Sequence, residues 1–127
     1  MKEEKIQIMV SQYLRLQYPN VYFTMDFSGL KLPIGLATKA QKQRSTHKLL
    51  DLMIFEPREN YNALVLELKD GEDKVYTKKG DFRNTEHVIE QNKSIKHLQN
   101  KGYYCCYAFS FDHAKHLIDS YMILPTK

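Results

Sequence analysis

The chain predicts an α/β domain in which a mixed β-sheet is flanked by helices in the order αβββαβα. Three observations carry this expectation. Stretches with helical spacing of apolar residues open and close the sequence. Short β-rich runs lie between them, and a single confident helix separates the third such run from the fourth. A crossover helix between strands requires a parallel pair, so the sheet is mixed and helices cover both of its faces.

The elements follow in order. Residues 3–17 carry Ile6, Val10, Tyr13, Leu14 and Gln17 near helical spacing. Glu3 lies one turn before Ile6 on the same stripe, which turns its carboxylate inward, whereas Glu4 falls on a neighbouring face. Tyr18-Pro19-Asn20 stops the helix, and Val21-Tyr22-Phe23-Thr24 reads as the first strand. Residues 28–48 form a long connection, with a helical turn expected near Thr38–Arg44. Two apolar strands follow at 51–55 and 62–68, separated by the turn-forming Glu59-Asn60-Tyr61-Asn62. Residues 70–84 read as loop, with Asp70-Gly71 and Gly80-Asp81 as turn signals. A helix begins near Thr85, capped by Asn84 or Thr85, with Val88, Ile95 and Leu98 as its stripe, and it ends at Lys101-Gly102. Tyr103–Phe109 is the fourth strand, and Asp112–Tyr121 is a final helix with Ala114, Leu117, Ile118 and Tyr121 on one face.

At 127 residues and 43% hydrophobic, the sequence is read as one domain over 1–127 with a substantial core. It has no apolar run near the roughly 20 residues that span a bilayer. Its N-terminus lacks a signal-peptide apolar block, so a soluble, cytoplasmic protein is expected. Cys105 and Cys106 are adjacent on a strand and point opposite ways, which strains a disulfide between them; they are expected to be reduced.

The chemistry concentrates at the second and third strands. Asp51 opens one run, and Leu66-Glu67-Leu68-Lys69 closes the other. Alternation puts Glu67 and Lys69 on one face, and a hairpin would bring Asp51 to the same end of the sheet. Two carboxylates and an ammonium at one spot can hold a divalent cation and orient a water for attack on a phosphodiester. Such charges at the end of a doubly covered strand are costly unless paired or bound to metal. Gln91 falls on the stripe of the following helix between Val88 and Ile95. A core-facing amide needs a partner, which is either a backbone group or the site above the sheet.

The net charge is +4, and its distribution is uneven. Phe27–Leu50 holds no acid, while Lys31, Lys39, Lys42, Arg44 and Lys48 are basic; a second group is Lys74, Lys78, Lys79 and Arg83. Such clusters suit a polyphosphate partner, and equally a solvated surface. The five histidines are scattered. His87 adjoins Gln91 on its helix, and His113 with His116 form a pair without a third zinc ligand nearby, so they are read as surface residues. Among the tyrosines, Tyr76 in the second basic group is the one assigned to a test of DNA contact.

The order of elements, with Asp…Glu-x-Lys on the second and third strands, resembles the PD-(D/E)xK nuclease superfamily. Within it, the chain looks like the VRR-NUC family, in particular its small stand-alone phage and bacterial members. The matching pieces are Glu3-x-x-Ile6-Gln7, Tyr18-Pro19-Asn20 and Asp51-Leu52-x-Ile54-x-Glu56-Pro57. They continue with Leu66-Glu67-Leu68-Lys69, Glu90-Gln91 leading into Leu98, and Gly102-Tyr103. The resemblance implies a restriction-endonuclease-like core and a Mg2+- or Mn2+-dependent DNA endonuclease. It implies Asp51, Glu67 and the Leu68 carbonyl as metal ligands, and Glu3 (or Glu4) as the N-terminal acid. Lys69 would act on the attacking water, and Gln91 would join the site from its helix. It further implies branched or Holliday-junction DNA as substrate, a homodimer, and a bacterial or phage-infected cytoplasm. The chain departs from the family where Leu50 replaces the proline before the first acid and Lys48 replaces a glycine. A catalytically silent nucleic-acid-binding module on the same fold is the alternative.

Overall fold

A computed structural model describes residues 2–26, 33–47 and 49–127. Two of the predicted basic residues, Lys31 and Lys48, therefore lie outside the described residues. In chain order the elements are α1 (Glu3–Gln17), β1 (Phe23–Met25), α2 (Ile34–Lys42), β2 (Leu52–Ile54), β3 (Leu64–Leu68), α3 (Glu86–Asn100), β4 (Tyr104–Ala108) and α4 (Phe111–Met122). The predicted order therefore holds, with α2 added in the connection. β1 starts later than expected and β2 is shorter at both ends. The helix of the long connection begins at Ile34, ahead of Thr38, where Pro33 supplies an extended entry and its carbonyl accepts the Ala37 N–H. Among the described residues no helix is long and apolar enough to cross a membrane.

Among the described residues the four strands form one sheet in the order β1-β2-β3-β4. β1–β2 and β2–β3 are antiparallel, and β3–β4 is parallel, with α3 as the crossover. The β2–β3 hairpin returns through a tight turn in which Glu59 takes a positive φ of 49° and Tyr61 N–H donates to the Arg58 carbonyl.

Strand alternation sorts β3 between two cores. Leu64, Leu66 and Leu68 face α1 and α4, where they pack with Ile6, Val10, Leu14, Ala114, Ile118 and Tyr121. Val65 faces the other way, into a second cluster with Val88 and Ile95 of α3 and with Cys105 and Tyr107 of β4. All five residues of β3 are buried, which explains its apolar run without alternation. Glu67 belongs to the α3 face by the same alternation. α3 starts at Thr85, whose hydroxyl accepts the Val88 N–H at 3.3 Å, and not at Asn84. It ends where Gly102 takes a φ of 89°, with Asn62 Nδ2 2.9 Å from where a Cβ would stand.

Residues 70–84 are more ordered than a plain loop. A 3₁₀ turn at Glu72–Lys74 is followed by an antiparallel bridge between Tyr76 and Phe82. Cys105 is buried, Cys106 is half-buried, and both are free. Burial pushes their thiols up to about 12 and about 11, so neither offers a reactive thiolate.

Candidate functional site

The β2–β3 register pairs Leu52 with Leu66, which sets Asp51 opposite Glu67 at the end of the hairpin. Each carboxylate is tied to the other's strand. The Asp51 N–H donates to Glu67 Oε1 at 3.2 Å, and the Leu68 N–H donates to Asp51 Oδ2 at 2.8 Å. Lys69, two residues beyond Glu67 on the same face, places Nζ 3.6 Å from Glu67 Oε2. Its backbone N–H donates to the Ala108 carbonyl, so β4 fixes the end of β3.

The remaining side of Glu67 is closed by α3. Gln91 Nε2 donates to Glu67 Oε2 at 2.5 Å and lies 3.0 Å from His87 Nε2. Of the two alternatives open for Gln91, the contact is with the site and not with backbone. The helical stripe therefore delivers a polar group to the one place on the α3 face where the sheet carries charge. Glu67, Lys69 and Gln91 are 4%, 3% and 1% exposed, and they are the buried polar residues among those described. Gln91 Oε1 is buried without a hydrogen-bond partner. A buried orphan acceptor costs on the order of 1–3 kcal/mol, which marks this point as one the fold does not satisfy by itself.

The electrostatics follow from burial. The Glu67 carboxyl is pushed up to about 8, first by burial and then by the neighbouring Asp51 charge, against the opposing pull of Lys69. Asp51 is also raised by burial, and the charge of Glu3 adds to that; its bond from Leu68 and the Lys69 charge act the other way. Glu3 is half-buried at the start of α1, with its field on Asp51. Glu4 is exposed and lines a groove of about 600 Å³ between α1 and β1, alongside Ile8, Phe23 and Met25. Asp51, Glu67 and Lys69 do not line that groove. Of the two N-terminal acids, Glu3 is thus the one electrostatically coupled to the cluster.

A hard divalent cation fits this donor set. Two carboxylates forced together out of water, with a third nearby, hold negative charge that a cation would neutralise. Among the described residues, no three His, Cys, Asp or Glu side chains already converge as a metal cluster. The side chains instead spend their lone pairs on Leu68 N–H, Asp51 N–H, Gln91 and Lys69.

The other predicted residues divide. Lys39 and Lys42 lie exposed on α2 and Arg44 is half-exposed just beyond it; none of them joins the carboxylate cluster. Lys74, Lys78, Lys79 and Arg83 are exposed on the segment that leaves Lys69. Tyr76 is half-buried under Phe82, their rings 5.1 Å apart, so it is Phe82 that presents the outer ring. In the sequence, Phe82 is marked by nothing more than an aromatic placed between Asp81 and the basic Arg83. His113 is structural: its Nδ1 accepts the Phe109 N–H at 3.1 Å. His87, expected on the surface, is exposed yet reaches Gln91.

No protein-family model and no curated protein matches the sequence. Among solved structures, the chain is similar to one described as a VRR_NUC domain protein, with a TM-score of 0.68 at 20% identity. The alignment covers 99% of this chain and 92% of that one. The likeness shows the fold: a mixed sheet between helices, as in that VRR_NUC domain protein.

Proposed function

We propose that this protein is a Mg2+- or Mn2+-dependent endodeoxyribonuclease that hydrolyses phosphodiester bonds in branched DNA. The observation that carries the proposal is the burial of Glu67, Lys69 and Gln91 around one another, with Asp51 locked opposite. Four converging polar groups under a helix, one with an orphan acceptor, fit a site built for a ligand.

Asp51 and Glu67, with the Leu68 carbonyl and Glu3, would hold the cation. When bound, it supplies a lowered pKa for water and charge stabilisation at the phosphate. Lys69 contributes a fixed positive charge beside Glu67, placed to orient a water and to offset negative charge developing on phosphorus-bound oxygen. Gln91 keeps the Glu67 carboxylate in one rotamer by donating to its Oε2. The exposed lysines of 74–79 and of α2 bind backbone phosphate, a contact that positions DNA and carries no base sequence. Recognition of DNA shape, with a Holliday junction as the preferred branched form, follows from that chemistry.

A homodimer places two such sites on two strands, as symmetric cleavage requires. Its support here is α2, which buries none of its own residues and leaves Ile34 88% exposed. The absence of a membrane-spanning helix among the described residues is compatible with work in a bacterial or phage-infected cytoplasm.

The deciding experiment is a nicking assay on junction, flap and linear duplex DNA with Mg2+ or Mn2+. Cleavage by the wild type and its loss in Asp51→Ala and Lys69→Ala support the proposal. Full activity in either variant would sink the assignment of this site, and binding without cleavage by the wild type would transfer the protein to the silent-binder class.

A further inference from the structure

We propose that Phe82 is a stacking platform for an unpaired nucleobase, held by a miniature hairpin over residues 76–82 at the outer end of a row of rings that begins at Tyr107, the strand partner of Glu67. The inference rests on the DNA-directed function above and specifies what in branched DNA the protein grips.

The segment that follows Lys69 reaches the hairpin through the 3₁₀ turn at Glu72–Lys74. Val75 is fully buried in the α3-side core and anchors its base, and the Arg83 N–H donates to the Val75 carbonyl at 2.8 Å. Thr77 N–H donates to the Asp81 carbonyl at 2.8 Å and Gly80 N–H to the Thr77 carbonyl at 2.9 Å. Gly80 makes this turn possible with a φ of 88°. Lys78 and Lys79 are thereby set at the tip, both exposed.

Tyr76 and Phe82 are bridge partners, so their side chains share one face. Their rings stack at 5.1 Å with an interplanar angle of 24°. Tyr76 leans on Phe109 at 5.9 Å, and Phe109 stacks on Tyr107 at 5.8 Å and on His113 at 5.7 Å. Tyr107 is the register partner of Glu67 on β4. A row of rings therefore runs from the strand beside the candidate catalytic carboxylate out to solvent, and Phe82 ends it with 54% of its surface exposed.

That exposure has no use in the fold. Val75 already closes the core beneath the hairpin, and Tyr76 already covers the inner face of Phe82. What remains is a flat aromatic end, continuing a stack, flanked by ammonium groups three and four residues away along the turn. A nucleotide matches both features at once: its base extends the row and its phosphate meets Lys79 or Lys78. In paired duplex the base faces are already stacked, so the platform favours DNA with an unpaired base, as at a branch point or flap.

The test uses DNA carrying 2-aminopurine, with EDTA present so that cleavage does not intervene. Wild-type protein is expected to quench 2-aminopurine at an unpaired position. Phe82→Ala should lose that quenching and bind single-stranded and branched DNA about tenfold or more weakly. Its affinity for fully paired duplex should stay within twofold, and Phe82→Trp should restore both signals. Unchanged quenching in Phe82→Ala, or equal weakening for duplex and branched DNA, overturns the platform while leaving the nuclease proposal standing. Loss of a concentration-dependent dimer in Phe82→Ala, with base binding intact, would assign the ring to a second copy of the chain and also overturn it. No DNA binding by the wild type overturns both.

Discussion

Asp51 and Glu67 hold each other's strands: the Asp51 backbone N–H donates to the Glu67 carboxylate, and the Asp51 carboxylate accepts from Leu68, the residue after Glu67. Each acid is thus a hydrogen-bond acceptor for the fold and, in the proposed function, a ligand for the cation. The two roles separate on substitution. Asp51→Ala strands the buried Leu68 N–H and should cost about 1–3 kcal/mol in chemical denaturation. Asp51→Asn keeps an acceptor there and should recover most of that stability. Both should lose activity by on the order of 100-fold or more, because a neutral amide cannot replace an anionic ligand. An active Asp51→Asn enzyme would remove this residue from the metal set.

The stability of the metal-free protein should fall as pH rises through neutrality. Glu67 titrates near 4.5 when unperturbed and is pushed up to about 8 in the fold by burial and by Asp51. Between those values the native state binds more protons than the unfolded state, so stability decreases with rising pH across that window. Asp51, raised for the same first reason, acts in the same direction. Thermal melts in EDTA should therefore show a lower Tm at pH 8 than at pH 5, and Glu67→Gln should flatten the slope. Mg2+ or Mn2+ should raise Tm most at the alkaline end, where the carboxylates need no proton to be lost. A metal-free Tm that climbs from pH 5 to pH 8 would contradict the assigned environment of Glu67.

Gln91 offers a contrast between stability and function. Its Nε2 serves Glu67, while its Oε1 is buried and unpartnered. Gln91→Met keeps the volume and removes the orphan acceptor, and it loses the Nε2 contacts to Glu67 and His87. The two effects oppose each other, so stability should change by less than about 1 kcal/mol. Activity should nonetheless drop roughly tenfold or more, since Glu67 loses its orienting donor. A residue with a purely structural part would show the reverse pattern, with stability lost and kcat kept.

Much of this site can be read from the residues because strand alternation is a strict rule. Glu67 and Lys69 share a face whatever the rest of the fold does, and a short antiparallel hairpin leaves Asp51 little choice of partner. Gln91 is legible as a polar residue on a hydrophobic stripe, with backbone or the site above the sheet as its two open partners, and the fold selects Glu67. Two features were hidden for physical reasons. The nine residues of α2 bury nothing, so no core stripe marks where they begin, and Pro33 and Gly35 at the start read as connection. The Tyr76–Phe82 pairing depends on a bridge inside a stretch rich in turn residues, where hydrophobic periodicity is absent. Phe82 became visible only when the backbone set it against Tyr76.

The salt dependence of DNA binding should tell the basic groups from the aromatic one. Each phosphate contact releases counterions and adds about 0.9 to the slope of log affinity against log salt. Lys78 and Lys79, exposed at the hairpin tip, are placed for such contacts. Replacing both with alanine should lower the slope by about 1–2 between roughly 50 and 200 mM salt, on branched and linear DNA alike. Lys39→Ala and Lys42→Ala on α2 should each lower it by up to about 0.9 if that helix also lies on the backbone. Phe82→Ala should leave the slope untouched while weakening branched DNA, because stacking releases no counterion. Fluorescence anisotropy across a salt series measures all of these on one footing. A double lysine variant with the wild-type slope would return Lys78 and Lys79 to the status of a solvated turn, and the grip on DNA would then have to come from α2.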